Sequence, residues 1–303
     1  MASLTRRTFL KRAVTAPLLA SAAAAAASGI IDTHTHFYDP TRPQGVPWPP
    51  KTDPVLYKPS LPARFEALTR PLGVTGTVVI ESNALLEDNQ WVLDLARDNR
   101  VIKGFMGHLE AGRPEFRRNL ARFSRNPLFR GIRLNDRMIA AGVSREPFIE
   151  DLRRLADLDL ALDAIGNPPL YADLVKLTGK VPNLRIIIDH MPLDDPGGGG
   201  RAALRELGRR SQVYSKVSGV LRERNGRVPD HASDYRDSLD ELWNIFGADR
   251  VVYGSNWPVS DRIAPYAIVL QVAREYFAAK GPEAEEKFFH QNSLQFYKWL
   301  ARP

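Results

Sequence analysis

Short β-branched and aromatic runs alternate along this chain with longer stretches in which apolar residues return every three or four positions. Runs of the first kind suit buried strands, and stretches of the second suit helices with one apolar face. Eight strand-like runs begin near Ile30, Gly76, Val101, Phe129, Leu158, Leu184, Val213 and Arg250, spaced 25 to 46 residues apart. Each interval has room for one strand, one helix and two loops. Between them lie helical stripes such as Phe116, Leu120 and Phe123, then Phe148, Ile149, Leu152, Leu155 and Ala156, and later Tyr235, Leu239 and Leu242. Eight consecutive strand–helix units predict an α/β fold, a single-domain (β/α)8 TIM barrel, with an open doubly wound sheet as the competing arrangement.

Two stretches break this rhythm. Residues 37–60 hold seven prolines together with Tyr38, Trp48 and Tyr57. Such a stretch forms neither helix nor central strand. It predicts a stiff aromatic loop across the barrel mouth, serving either as a lid or as an apron on the barrel end. Residues 192–200 end in four glycines and predict a mobile loop.

Residues 1–28 differ in kind. The string Thr5-Arg6-Arg7-Thr8-Phe9-Leu10-Lys11 precedes an alanine-rich apolar stretch and resembles a twin-arginine export signal. That divides the chain into a signal, 1–28, and a barrel, 29–303, with a periplasmic or secreted destination. The apolar part is short and alanine-rich, so stable membrane insertion is not expected. Removing it deletes four basic and no acidic residues, lowering the net charge from +7 to +3. No concentrated basic tract remains, which argues against a nucleic-acid partner. The absence of cysteine excludes disulfides, thiolate nucleophiles and thiolate metal sites. With 44% hydrophobic and 25% charged residues, the composition is that of a globular, enzyme-sized domain.

Catalytic groups of such barrels project from the C-terminal ends of the strands. Strand one reads Ile30-Ile31-Asp32-Thr33-His34-Thr35-His36, and side chains two apart on a strand share a face. Strand two ends in Glu81, strand three in His108-Leu109-Glu110, and strand four carries Gly131-Ile132-Arg133. Strand five ends at Asp163, strand six in Asp189-His190, strand seven supplies Lys216, and strand eight closes on Gly254-Ser255-Asn256-Trp257-Pro258.

Through the Asp-x-His-x-His opening, Gly-Ile-Arg, Asp-His, the Lys216–Gly219 run and the Gly-Ser-x-Trp-Pro close, the chain resembles the amidohydrolase superfamily. The resemblance is to its amidohydrolase-2 branch, which includes sugar-acid lactonases and pyrone-dicarboxylate lactonases, and it spans nearly all of residues 30–300. It implies that His34, His36 and His190 bind a divalent ion or the lactone carbonyl, and that Arg133 holds a substrate carboxylate or oxyanion. Neutral imidazoles suit zinc, the favoured ion, which would polarise a carbonyl or lower the pKa of bound water to about 7; a metal-independent reaction is the alternative.

Asn256 departs from the pattern, standing where many members carry an aspartate that acts as general base and, in metal-bound members, as ligand. An amide cannot take that proton. Glu81 is the preferred substitute, followed by Glu110 and Asp261. Lys216 is read as an electrostatic stabiliser or as the partner of a buried acid. Glu110 and Trp257 are read as substrate contacts, His108 as a supporting residue, and His231 and His290 as surface or packing residues. The expected activity is an exported hydrolase that opens a small lactone of a sugar acid. Alternatives are a non-catalytic carbohydrate- or lactone-binding barrel in the periplasm and a metal-dependent aromatic-acid decarboxylase of the same branch.

Overall fold

The computed structural model describes residues 29–191 and 200–302. The export-signal expectation for 1–28 and most of the glycine loop, 192–199, therefore lie outside the described residues. Eight strands form one sheet in sequence order: β1 Ile30–Thr35, β2 Val74–Ile80, β3 Ile102–Gly107, β4 Phe129–Asn135, β5 Ala161–Ile165, β6 Ile186–Ile188, β7 Val213–Val217 and β8 Val251–Tyr253. Every sequential pair is parallel. Between and after the strands run α1 Pro62–Thr69, α2 Leu86–Asp98, α3 Phe116–Phe123, α4 Asp136–Gly142, α5 Glu146–Asp157, α6 Pro169–Lys180, α7 Arg201–Gly208, α8 Arg236–Phe246, α9 Tyr266–Ala278, α10 Pro282–Glu286 and α11 Asn292–Tyr297. This is a TIM barrel. Among the described residues no helix is long and apolar enough to cross a membrane.

The ring closes between β8 and β1 through side chains and the residues just past the strands. Thr33 Oγ1 donates to Tyr253 O at 2.6 Å, His36 N to Trp257 O at 2.8 Å, and Asp32 Oδ1 accepts from Ser255 N at 2.9 Å. Gly254 sits at this seam because a Cβ there would stand 2.7 Å from His34 Cβ, closer than two such atoms approach.

Two apolar zones carry the fold. Outward residues of the strands, such as Ile30, Val79, Phe105, Ile132 and Leu162, meet the predicted helix stripes, including Phe116, Leu120, Phe123, Leu152 and Leu155. Inward residues Ile31, Val78, Ile80, Met106, Ala161, Ile187, Tyr214 and Val252 fill the barrel, with Phe296, Tyr297 and Trp299 packed on them from the C-terminal segment.

β5 starts three residues later than the pattern suggests. Leu158, the expected first residue, caps α5 and is 46% exposed, and Asp159 turns the chain with φ 56°. An apolar residue at a helix end is thus indistinguishable by pattern from the start of a strand.

Candidate active site

His34 reaches the barrel interior because β1 gains one residue against β2: Asp32 pairs with Thr77, but Thr35 pairs with Val79. The bulge changes side-chain parity, so Ile31 joins the interior core and His34 the interior site. His36 follows directly after the strand. His190 follows β6 with φ 65°, and Asn256 follows β8 with φ 61°; both occupy the left-handed region that non-glycine residues seldom enter. Such backbone strain clusters at functional sites.

The three imidazoles converge. The His34 ring centroid lies 5.0 Å from that of His36 and 4.6 Å from that of His190. His36 Nδ1 is 3.1 Å from Ile80 O, and His190 Nδ1 is 3.0 Å from Ser218 Oγ. His34 Nδ1 lies 3.3 Å from Lys216 Nζ and 3.6 Å from Asp189 Oδ1, while its Nε2 is buried without a hydrogen-bond partner. An ammonium has donors only, and 3.6 Å is beyond hydrogen-bonding range, so Nδ1 accepts and the proton resides on Nε2.

Burial dominates the protonation of this cluster. It holds His34 well below its ordinary value, aided by the Lys216 charge; it takes His36 down to about 3, aided by Arg133, and His190 to about 4 against the opposing pull of Asp189. All three are neutral at pH 7. Below them Lys216 Nζ bonds Asp163 Oδ2 at 2.5 Å and lies 2.8 Å from Asp189 Oδ1. Burial, reinforced by the Asp189 charge, lifts Asp163 to about 7. Asp189 feels the same burial, but the Lys216 and Arg133 charges outweigh it and keep this carboxylate well below the usual range. Asp32 is pushed up to about 6 by burial despite hydrogen bonds from Ser255, His34 and Tyr266. It ties β1 to β8 and α9.

A cavity of about 290 Å³ opens beside the His190 ring, lined also by Asn256, Asn167, Tyr171 and Arg222 among others. Arg222 donates to the carbonyls of Gly219 and Leu221. Trp48 from the proline-rich loop stands edge-on to His36, 6.1 Å between centroids. Tyr38 of that loop is fully buried and donates to Leu56 O at 2.9 Å, so it pins the loop rather than facing the mouth.

The other candidates fall elsewhere. Glu81 accepts from Arg133 Nε at 2.9 Å, and Arg133 Nη2 also bonds Glu81 O at 2.8 Å; the preferred substitute base and the expected substrate-binding arginine occupy each other. Glu110 is half exposed and pairs with Arg113, lining a separate pocket with His108. Trp257, expected at the substrate, is fully buried between Phe37 and Phe65, because its carbonyl and ring complete the β1–β8 seam. Asp261 pairs with Arg64 at 2.9 Å. His231 is exposed beside Glu275, and His290 bonds Gly29 O. Asp163 and Asp189 are the site residues that pattern reading undervalued, although a lone acid in an apolar strand end is itself a signal.

As arranged, these residues do not fit a divalent ion. Among the described residues no group of three or more His, Cys, Asp or Glu side chains is placed to hold a metal. Two cations, Lys216 and Arg133, occupy the flanks of Asp189, and Asn256 offers no charge. A bound cation would have to displace or neutralise these neighbours.

An amidohydrolase family model matches residues 31–299. An L-fucono-1,5-lactonase of Burkholderia ambifaria is 31% identical, aligned over 90% of this chain and 96% of its own. Among solved structures, an amidohydrolase of Burkholderia multivorans with bound zinc superposes with TM-score 0.80 at 21% identity, covering 90% of this chain and all of that one. A probable 2-pyrone-4,6-dicarboxylic acid hydrolase of Acinetobacter baumannii with citric acid bound gives TM-score 0.73 at 17% identity, covering 89% of this chain and all of the other.

Proposed function

The chain belongs to the amidohydrolase family, and on that premise we propose that it is a lactone hydrolase acting on a small, uncharged sugar lactone. The likeness to the fuconolactonase supports the lactone. The absence of charge is argued from the site itself. Lys216 is engaged by two aspartates, Arg133 by Glu81, and Arg222 by backbone carbonyls. A dicarboxylate of the kind named for the Acinetobacter relative would need cations that this site already employs. A cavity lined by two asparagines, a tyrosine and a histidine suits hydroxyl groups.

The observation that carries the mechanism is the His34 Nε2, buried and without a hydrogen-bond partner, on a ring 4.6 Å from that of His190. The lactone carbonyl oxygen accepts from His34 Nε2–H, which takes up the charge that develops on it. His190 removes a proton from the attacking water as the new C–O bond forms. Collapse of the tetrahedral oxyanion breaks the ring C–O bond, and His190 returns its proton to the departing alkoxide. The product is the open hydroxy acid. Asn256, at the cavity wall, orients substrate rather than accepting a proton. No step passes through a metal; a divalent ion among these imidazoles would meet the charges of Lys216 and Arg133.

Ring opening is measured with a pH indicator on L-fucono-1,5-lactone, other aldonolactones and 2-pyrone-4,6-dicarboxylate. Turnover of the neutral lactones, retained within about twofold after chelation, is expected. No turnover of any neutral lactone, or a preference for the dicarboxylate, would overturn the reading. The twin-arginine-like string of residues 1–28 supports export of the folded enzyme, checked by N-terminal sequencing of protein from the periplasmic fraction.

A further inference from the structure

The charged cluster has a route to the far end of the barrel. Tyr297, the last residue of α11, donates its hydroxyl to Asp163, 3.2 Å from each carboxylate oxygen. Its ring lies 5.5 Å from Lys216 Nζ, within reach of a cation–π attraction. Asp163 accepts from Lys216 at 2.5 Å, and Lys216 stands 3.3 Å from His34 Nδ1. All four side chains are fully buried. A residue of the C-terminal segment therefore touches both partners of the ion pair beneath the candidate active site.

A lysine ammonium is a point charge on a flexible stem and takes its position from its neighbours. Lys216 has two acids to choose from, Asp163 and Asp189. Held by Asp163, it donates to His34 Nδ1 and leaves the proton on Nε2. Released from Asp163, it is held by Asp189 alone and is no longer fixed beneath His34 Nδ1, which opens that nitrogen to a proton shared with the carboxylate 3.6 Å away. We propose that Tyr297 and Asp163 are positioning residues that hold Lys216 beneath His34 and thereby select which His34 nitrogen carries the proton facing the substrate. The catalytic consequence rests on the lactonase reading, whereas the choice of tautomer does not.

The test uses the full barrel with ¹⁵N-labelled histidine, whose ring signals distinguish the two neutral tautomers without any substrate. His34 is assigned by the signal lost in His34→Gln. In the wild type it is expected to be protonated at Nε2, and in Tyr297→Phe and Asp163→Asn to shift toward Nδ1. On L-fucono-1,5-lactone, Tyr297→Phe is expected to lower kcat about tenfold with KM within about twofold, as for a misplaced donor. Phe296→Leu, which loosens the same packing without touching Asp163, should lower the melting temperature yet leave tautomer and kcat unchanged. Addition of Tyr297→Phe to Asp163→Asn should cost nothing further in kcat. A wild-type tautomer in Tyr297→Phe, or an equal shift in Phe296→Leu, overturns the proposal. A shifted tautomer in a protein that opens no lactone would instead retain the positioning role and sink the assigned reaction.

Discussion

At the lower level of the barrel interior stand Ile31, Ala161, Ile187, Tyr214 and Val252; two residues further along β5, β6 and β7 stand Asp163, Asp189 and Lys216. The two layers share strands and are equally dry. The lower one is held by removal of apolar area from water, at about 25 cal/mol per Å². In the upper one each charge is tolerable only because another faces it. Loss of a methyl group below costs its own share, whereas loss of one charge above strands its partners in a medium that cannot solvate them. In the upper layer His190 and Asn256 adopt left-handed backbone, as Asp159, Asn225 and Lys298 do elsewhere.

Substitutions at matched depth sharpen this contrast. The largest effect is expected for His190→Asn, which removes the proposed base at the cavity wall: kcat should fall about 10³-fold, with little change in melting temperature, read by steady-state kinetics and calorimetry. Equal loss of stability would mean that His190 is a packing residue. Lys216→Met keeps the length of the side chain but abandons Asp163 and Asp189; a stability loss of about 3–5 kcal/mol in urea titration is expected, together with loss of activity. In the lower layer Ile187→Val should cost about 0.5–1.5 kcal/mol and leave kcat unchanged. A comparable cost for these two variants would erase the distinction between the layers.

The smallest effect is a pH dependence. Burial lowers His36 from 6.5 to about 3 in the folded protein, so between those values the unfolded chain binds a proton that the folded one does not. Stability contributed by the neutral ring is therefore fully present above pH 6.5 and lost as the pH falls toward 3. His36→Gln removes this sensitivity, and its melting temperature should gain on that of the wild type as the buffer is taken from pH 7 to pH 4.5. A constant difference would mean that the ring is not held neutral. Asp32 and Asp163, raised by burial to about 6 and about 7, act in the opposite sense: the folded state keeps their protons longer, and their contribution is lost as pH rises through those values. The wild-type profile is accordingly the sum of opposed slopes.

Much of the site was legible because strand ends are legible. His34, His36, Arg133, His190, Lys216 and Asn256 each lie in or just past a strand-like run, and eight such runs in sequence order bring them to one face of a ring. What was not legible is who meets whom there. Glu81 and Glu110 look alike as acids at neighbouring strand ends, yet one is tied to Arg133 inside the barrel and the other to Arg113 outside. Trp257 and Trp48 look alike as aromatics near the mouth, yet Trp257 is sealed into the seam and Trp48 stands over His36.

Alternation and helical spacing by themselves determined the eight strand–helix units and the set of polar groups near the strand ends, because periodicity encodes which side of an element is buried; the closed ring and its strand order are tertiary. Only the tertiary structure decided the bulge that turns His34 inward, the pairing that occupies Glu81 and Arg133, and the arrival of Tyr297 beneath Asp163 from 134 residues away. Those depend on distances between side chains remote in the chain. Coulomb and hydrogen-bond energies change steeply with such distances, and local pattern carries no record of them.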